Sequence, residues 1–208
     1  WHNIAVRSII ESRFGVHAYL DTNINSIAFF YKWSGSNQAC SDFVLFSVRK
    51  GVRVVCFMKN ELLRGSHNSV GEIGHTPVRL DGRPCVCGRK GCLDAEAADD
   101  AIRDKLLEGI QNGRFQDLFD AVGQDPARVN VSSFVESVLA GHPDSMELLD
   151  EVCGYLSLNL AHVVNLYNPS RVCIYGEITR IGEPFLERIR RMVSQMAMEI
   201  NVAELEIV

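Results

Sequence analysis

Gly71-Glu72-Ile73-Gly74-His75, followed after nine residues by Cys85-Val86-Cys87-Gly88-Arg89-Lys90-Gly91-Cys92-Leu93-Asp94, is the stretch from which the rest of the chain can be read. The intervening residues include Pro77, Gly82 and Pro84, so the backbone here is irregular, and neither helix nor strand geometry can fix its side chains. His75, Cys85, Cys87 and Cys92 match the donor set of a structural zinc site, in which protein fills all four tetrahedral positions and leaves none for a catalytic water. Cys85-x-Cys87 is too short a loop for an easy disulfide. Gly88 and Gly91 let the chain wrap so that thiolates on both sides converge on one ion.

Outward from this stretch, the 208 residues and 47% hydrophobic content suffice for a full core in one domain, or one large lobe of a larger protein. No apolar run approaches the ~20 residues that span a bilayer, so no membrane insertion is expected. Trp1 lacks both a starter methionine and a signal-peptide pattern and reads as a cut edge. Seven cysteines, with Cys40, Cys56, Cys153 and Cys173 in apolar surroundings, suggest a reducing compartment and a cytoplasmic protein. The formal net charge of −5 argues against this piece clamping a nucleic-acid backbone, and Arg188, Arg190 and Arg191 read as a solvated helix face.

Along the chain, residues 4 to 13 read as a short helix and residues 15 to 20 as a strand opened by glycine. Asp21 and Thr22 can cap a helix running to Tyr31, which puts Thr22 and Asn23 at a strand-to-helix switch, where α/β proteins place ligands. Phe43 to Val48 and Val52 to Met58 form a hairpin across Arg49-Lys50-Gly51. Helices follow at about 97 to 111, 114 to 122 and 131 to 140. A longer one opens at Pro143 and stops at Asn168-Pro169, with an apolar stripe from Met146 to Leu166. Val172 to Tyr175 is a buried strand, 182 to 198 a helix, and 204 to 208 a final strand. The alternation indicates an α/β layer architecture.

Gly71-Glu72-Ile73-Gly74-His75-Thr76 with Cys85-x-Cys87-Gly88-x-x-Gly91-Cys92-Leu93-Asp94 resembles the signature of the ROK family, sugar kinases and sugar-responsive repressors on the actin-like ATPase (ribonuclease H-like) fold. Weaker likeness extends over nearly the whole chain, through the hinge at 16 to 28, Leu62-Leu63-Arg64-Gly65, Asn165-Leu166-Tyr167-Asn168-Pro169 and Gly176. The resemblance implies that His75, Cys85, Cys87 and Cys92 hold zinc. It also implies that Glu72, His75 and Asp94 face sugar hydroxyls, with Thr22 and Asn23 at the hinge. A carboxylate accepts two hydroxyl donors, and a histidine bound to zinc through one nitrogen can offer the other.

Three departures stand against the family's kinases. Their Asn-Asp hinge pair falls on Thr22 and Asn23 when aligned through Asn25, and an amide cannot take the proton from the attacking hydroxyl, a loss of ~10²–10⁴ in rate. Asp21 lies one residue back and would point differently. The glycine-rich phosphate turn is replaced by Arg49, Lys50, Gly51, Val52 and Arg53, with Val55 in place of a further glycine. Those cations could grip phosphate by charge, yet they block the close backbone approach that glycine permits. The usual Gly-Gly after the later strand is Gly176-Glu177.

The expectation is therefore the C-terminal part of a ROK-type domain, sensing a sugar or sugar-phosphate without catalysis. It would act as a homo-oligomer (dimer or tetramer) whose DNA contact lies in a domain outside this chain. Two alternatives stand: a working ATP-dependent sugar kinase, and a repressor domain governed by a protein partner such as a membrane sugar transporter, with a vestigial sugar pocket.

Overall fold

The computed structural model describes residues 4–208. Its centre is a mixed five-stranded sheet in the order β3-β2-β1-β4-β5, formed by Phe43–Val48 (β1), Val52–Met58 (β2), Glu61–Leu62 (β3), Arg171–Tyr175 (β4) and Glu206–Ile207 (β5). The expected hairpin is present: β1 pairs antiparallel with β2, and parallel with β4 on its other side. A strand paired on both edges and covered on both faces must be apolar throughout, which is why Phe43-Val44-Leu45-Phe46-Ser47-Val48 reads almost without interruption.

The two faces carry separate cores. Val44, Phe46, Val48, Val52 and Val54 meet the main one, built by the helices after the hairpin. These are Leu93–Ala97 (α3), Asp99–Gln111 (α4), Gln116–Ala121 (α5), Val131–Leu139 (α6), Pro143–Tyr167 (α7), Glu183–Met196 (α8) and Glu199–Val202 (α9). Helix α7 buries Leu149, Val152, Leu156, Leu160, Val163 and Val164, while Leu166, expected in the same stripe, is exposed. It ends as Asn168 turns left-handed at φ 43° ahead of Pro169. Helix α8 lays Phe185, Ile189 and Val193 against the core.

On the opposite face, Phe43, Leu45, Val55 and Phe57 pack under one helix, Asn23–Trp33 (α2), whose Ala28 is fully buried. Thr22 rather than Asp21 caps it, accepting a hydrogen bond from the Asn25 amide at 3.3 Å. The first helix, Val6–Phe14 (α1), ends as expected at Gly15. The strand expected over 15 to 20 does not form. A strand needs a neighbour for its backbone groups, and no described strand lies beside this run; Val16, Tyr19 and Leu20 are exposed and the Ala18 amide bonds to Glu11 Oε1 instead. None of the described helices is long and apolar enough to cross a membrane.

Candidate functional site

Alternation along the hairpin determines where a cavity can open. On the α2 face the cross-strand pairs run Phe43 with Phe57, then Leu45 with Val55, and then change character to Ser47 with Arg53. The two apolar pairs lie beneath α2 and the polar pair lies beyond its N-terminus. There the sheet, α2 and the metal-loop residues enclose a cavity of about 430 Å³, lined by Asn23, Ile24, Ile27, Ser47, Arg49, Lys50, Gly51, Arg53, His75, Val86 and Asp94. That volume falls within the ~300–1,000 Å³ of small-molecule sites.

One wall is the stretch from which the sequence was read. After a single 3-10 turn, Ile73–His75, the loop doubles back through isolated bridges between Pro77 and Cys92 and between Pro84 and Lys90. This brings one donor atom each from His75, Cys85, Cys87 and Cys92 to within 4.8 Å of one another. The Cys87 and Cys92 sulfurs are 3.7 Å apart, and Cys85 Sγ is 3.6 Å from His75 Nδ1. Donors sharing a tetrahedral ion at about 2.3 Å to sulfur stand about 3.5–3.8 Å from each other, so the donor set and its spacing fit a single metal ion. Hydrogen bonds from the backbone and side chain of Arg89 bring the exposed Cys87 thiol down to about 6, while burial pushes Cys92 up to about 12. Cys56 and Cys153, pushed to about 12 by burial, are inert by comparison. Cys56, Cys85, Cys87, Cys92, Cys153 and Cys173 are free thiols.

The metal loop and the hairpin meet at Asp94, in the first turn of α3. Its Oδ1 accepts a hydrogen bond from the Val52 amide at 2.7 Å, and its Oδ2 lies 3.7 Å from His75 Nδ1. Such closeness is possible because residue 74 is glycine: a Cβ there would stand 1.9 Å from Asp94 Oδ1 and 2.5 Å from the Val52 carbonyl oxygen. At Gly91, φ is 65° and a Cβ would meet the Arg79 carbonyl oxygen at 1.5 Å. A buried carboxylate that the sequence reading missed holds the outer part of the loop. Glu96, 1% exposed on α3, accepts the Arg83 amide at 2.7 Å and lies 3.6 Å from Lys105 Nζ. It lies two residues after Asp94 in Leu93-Asp94-Ala95-Glu96-Ala97-Ala98, a run in which nothing local tells the buried carboxylate from its neighbour.

Asn23, His75 and Asp94 thus face one cavity, but the other two sugar candidates are placed differently. Glu72 is ion-paired with Arg53 and does not line the cavity, and the Thr22 hydroxyl caps α2. Asp21 is committed to Arg64 at 2.7 Å and to Asn25 Nδ2 at 2.6 Å; the Arg64 guanidinium holds its carboxyl below the usual range, which suits it poorly to act as a base. Ser47, Ile24, Ile27 and Val86 were not singled out in advance. Val86, 99% exposed between two metal-cluster cysteines, gave no apolar periodicity by which to notice it.

Across the hairpin turn lies a second cavity of about 330 Å³, lined by Lys50, Asp99, Asp100, Arg103, Asn130, Val131, Ser132 and Glu177. Four of the eight are carboxylates or an amide and two are cations. Glu177 pairs with Arg180 at 2.6 Å. Asp99 Oδ1 is buried with no hydrogen-bond partner, and burial pushes that carboxyl up to about 6.

The ROK family model matches residues 1–208. The chain is 28% identical over 195 residues to the xylose repressor of Caldicellulosiruptor bescii, covering 94% of this chain and 48% of that protein. It is 27% identical over 208 residues to the glucokinase of Thermotoga maritima, covering all of this chain and 65% of that one. Among solved structures, a ROK family transcriptional regulator described as a homolog of the E. coli MLC protein superposes with a TM-score of 0.90 at 24% identity, over 99% of this chain and 51% of that one. This likeness, shared with ROK sugar kinases of known structure, shows the fold, an actin-like ATPase lobe. The chain spans about half the length of the repressors it matches. With its family model matched from end to end and its signature loop folded as one cluster, the chain belongs to the ROK family.

Proposed function

We propose that this chain is the C-terminal, effector-binding part of a ROK-type transcriptional repressor, which senses a sugar and does not phosphorylate it. The observation that carries the reading is the make-up of the main cavity: His75 and Asp94 on one wall and, facing the same space, Asn23 where a kinase needs a carboxylate. An amide can position a hydroxyl but cannot accept its proton at neutral pH. The hairpin supports the same view, since Arg49, Lys50 and Arg53 put side chains where nucleotide phosphates would require bare backbone. The likeness to a xylose repressor agrees with this reading, while the likeness to a glucokinase keeps the kinase as the alternative.

In this account His75, Cys85, Cys87 and Cys92 hold a structural zinc ion, which closes the loop and takes no part in chemistry. Because Nδ1 of His75 is turned toward the Cys85 thiol, Nε2 is left for a sugar oxygen. Asp94 accepts a hydroxyl through the oxygen not occupied by Val52. Glu72 holds Arg53 and reaches the sugar only if that ion pair opens. Binding acts by population shift: a sugar moves the protein between two arrangements only by its differential affinity for them, and the shift passes to DNA-reading segments outside these residues in a cytoplasmic homo-oligomer.

Calorimetry on the full-length protein with glucose, xylose, N-acetylglucosamine and their phosphates tests the proposal. A sugar binding with Kd below about 1 mM supports it. Silence across the panel, with capture of the protein by a membrane sugar transporter, would instead favour control by a protein partner.

A further inference from the structure

We infer that Glu96 raises the metal affinity of the cysteine-bearing loop, by holding the loop at its Arg83 amide whether or not an ion is bound. The inference rests on the metal-site reading above and names the residue outside the donor set on which that affinity depends. Between Val78 and Gly91 the loop is nearly self-contained. Its backbone amides bond inward: Val78 and Arg79 to the Gly91 carbonyl, Gly82 to Arg79, Cys85 to Arg89, Gly88 to Cys85 and Gly91 to Arg83. Among the described residues one backbone hydrogen bond leaves this span, from the Arg83 amide to Glu96 Oε1 at 2.7 Å. The Arg83 side chain also reaches Glu108, but Glu108 is 61% exposed and such surface pairs contribute little. Glu96 is 1% exposed, and the loop sits directly on it: a Cβ at Gly82 would stand 2.3 Å from Oε1 and 2.6 Å from the Gly91 Cα.

The short helix α3 thus carries three ties. Cys92 at its N-cap belongs to the donor set, Asp94 takes the Val52 amide of the hairpin, and Glu96, about 200° round the helix from Asp94, takes the loop. A carboxylate buried this deeply needs a countercharge. Lys105 supplies it, with Nζ 3.6 Å from Glu96 Oε2, 2.8 Å from the Glu96 carbonyl oxygen and 2.7 Å from Glu151 Oε1 on α7. The plainer reading is that Glu96 and Lys105 only fasten α3 to α4 and α7. Lys105 makes those ties, however, while Glu96 Oε1 is given to the loop amide. An unanchored loop loses more conformational freedom when its donors converge, and that loss is subtracted from the affinity for the ion.

Zinc affinity of the full-length protein, measured by competition with a chromophoric chelator after metal removal, tests this. Glu96→Ala should lower it about 10- to 100-fold, the range found for residues that orient metal ligands. Glu96→Gln keeps an acceptor for the Arg83 amide and should stay within about fivefold. Lys105→Met removes the ties to the helices and leaves the loop contact, so its melting temperature should fall while its zinc affinity stays within about threefold. In the metal-free protein, hydrogen exchange over residues 79–91 should be at least about tenfold faster in Glu96→Ala than in the unaltered chain. If Glu96→Ala does not fold, Gly82→Ala, whose new Cβ meets only Glu96, Gly91 and Arg79, pushes the loop off Oε1 and should show the same loss and the same faster exchange. Equal losses of affinity in Glu96→Ala and Lys105→Met would reduce Glu96 to a fastening of the helices and overturn the inference, as would unchanged affinity in Glu96→Ala. An unaltered chain that takes up no zinc would overturn the metal reading as well.

Discussion

The cysteine-bearing loop and the charged hairpin side chains, which meet at Asp94, line the main cavity by opposite means. At the metal-loop end, position depends on tightly packed parts: four donors within 4.8 Å, Gly74 letting Asp94 and the Val52 backbone meet, and Glu96 pinning the Arg83 amide. On the hairpin side, Arg49 and Lys50 are exposed. A group that must be held to a fraction of an ångström needs the first kind of construction; a diffuse charge needs only the second. On the reading proposed above, the difference teaches how a kinase-like site could lose catalysis while recognition persists, because the two are braced by different residues.

The comparison is broken most sharply at Cys92. This side chain is fully buried at the start of α3, and Cys92→Ser should release the metal, lower the melting temperature by about 10 °C or more and abolish sugar binding. Metal analysis and thermal melts check it. A protein that keeps one metal equivalent, or melts unchanged after chelation, would remove the distinction between the two ends. Next in size is Gly74→Ala, whose Cβ must displace Asp94. A loss of about 1–3 kcal/mol in stability is expected with a larger loss of sugar affinity, read by denaturant titration and calorimetry.

A smaller effect sharpens the hairpin side. The carboxyl of Asp99 is raised to about 6 in the folded state, so the folded protein binds more protons than the unfolded chain between about pH 4 and 6. Stability from this group therefore falls as pH rises through that window. Asp99→Asn should flatten the slope and add about 1 kcal/mol at pH 7, after discounting for partial exposure, without changing metal content. The smallest effect is expected at Glu177→Gln, which breaks only a half-exposed pair with Arg180; the melting temperature should stay within about 2 °C and sugar binding should not change.

Much of this was legible in the residues. The hairpin, the helices after residue 95 and the length of α7 follow from periodicity and from the stops at Gly51, Gly113 and Asn168-Pro169, because local rules decide them. The convergence of His75, Cys85, Cys87 and Cys92 was legible because donor type and spacing carry the chemistry directly. The run at 15 to 20 was misread as a strand because alternation records a half-buried surface but not the neighbour that must pair with it. Glu72 and Thr22 show the corresponding limit at the site: the motif places them nearby, while the ion pair with Arg53 and the cap on α2 depend on three-dimensional neighbours. Glu96 and Ser47 were hidden for the same reason, since each matters only through the element packed against it.

The most direct test of the central claim, that the metal-loop end reads a sugar while the hairpin end no longer transfers phosphate, is ADP release from ATP by the full-length protein at saturating concentrations of a sugar it binds. The account predicts bound sugar and no release above about 10⁻³ s⁻¹, whereas sugar-dependent turnover near about 1 s⁻¹, at the lower edge of ordinary enzymes, would contradict it.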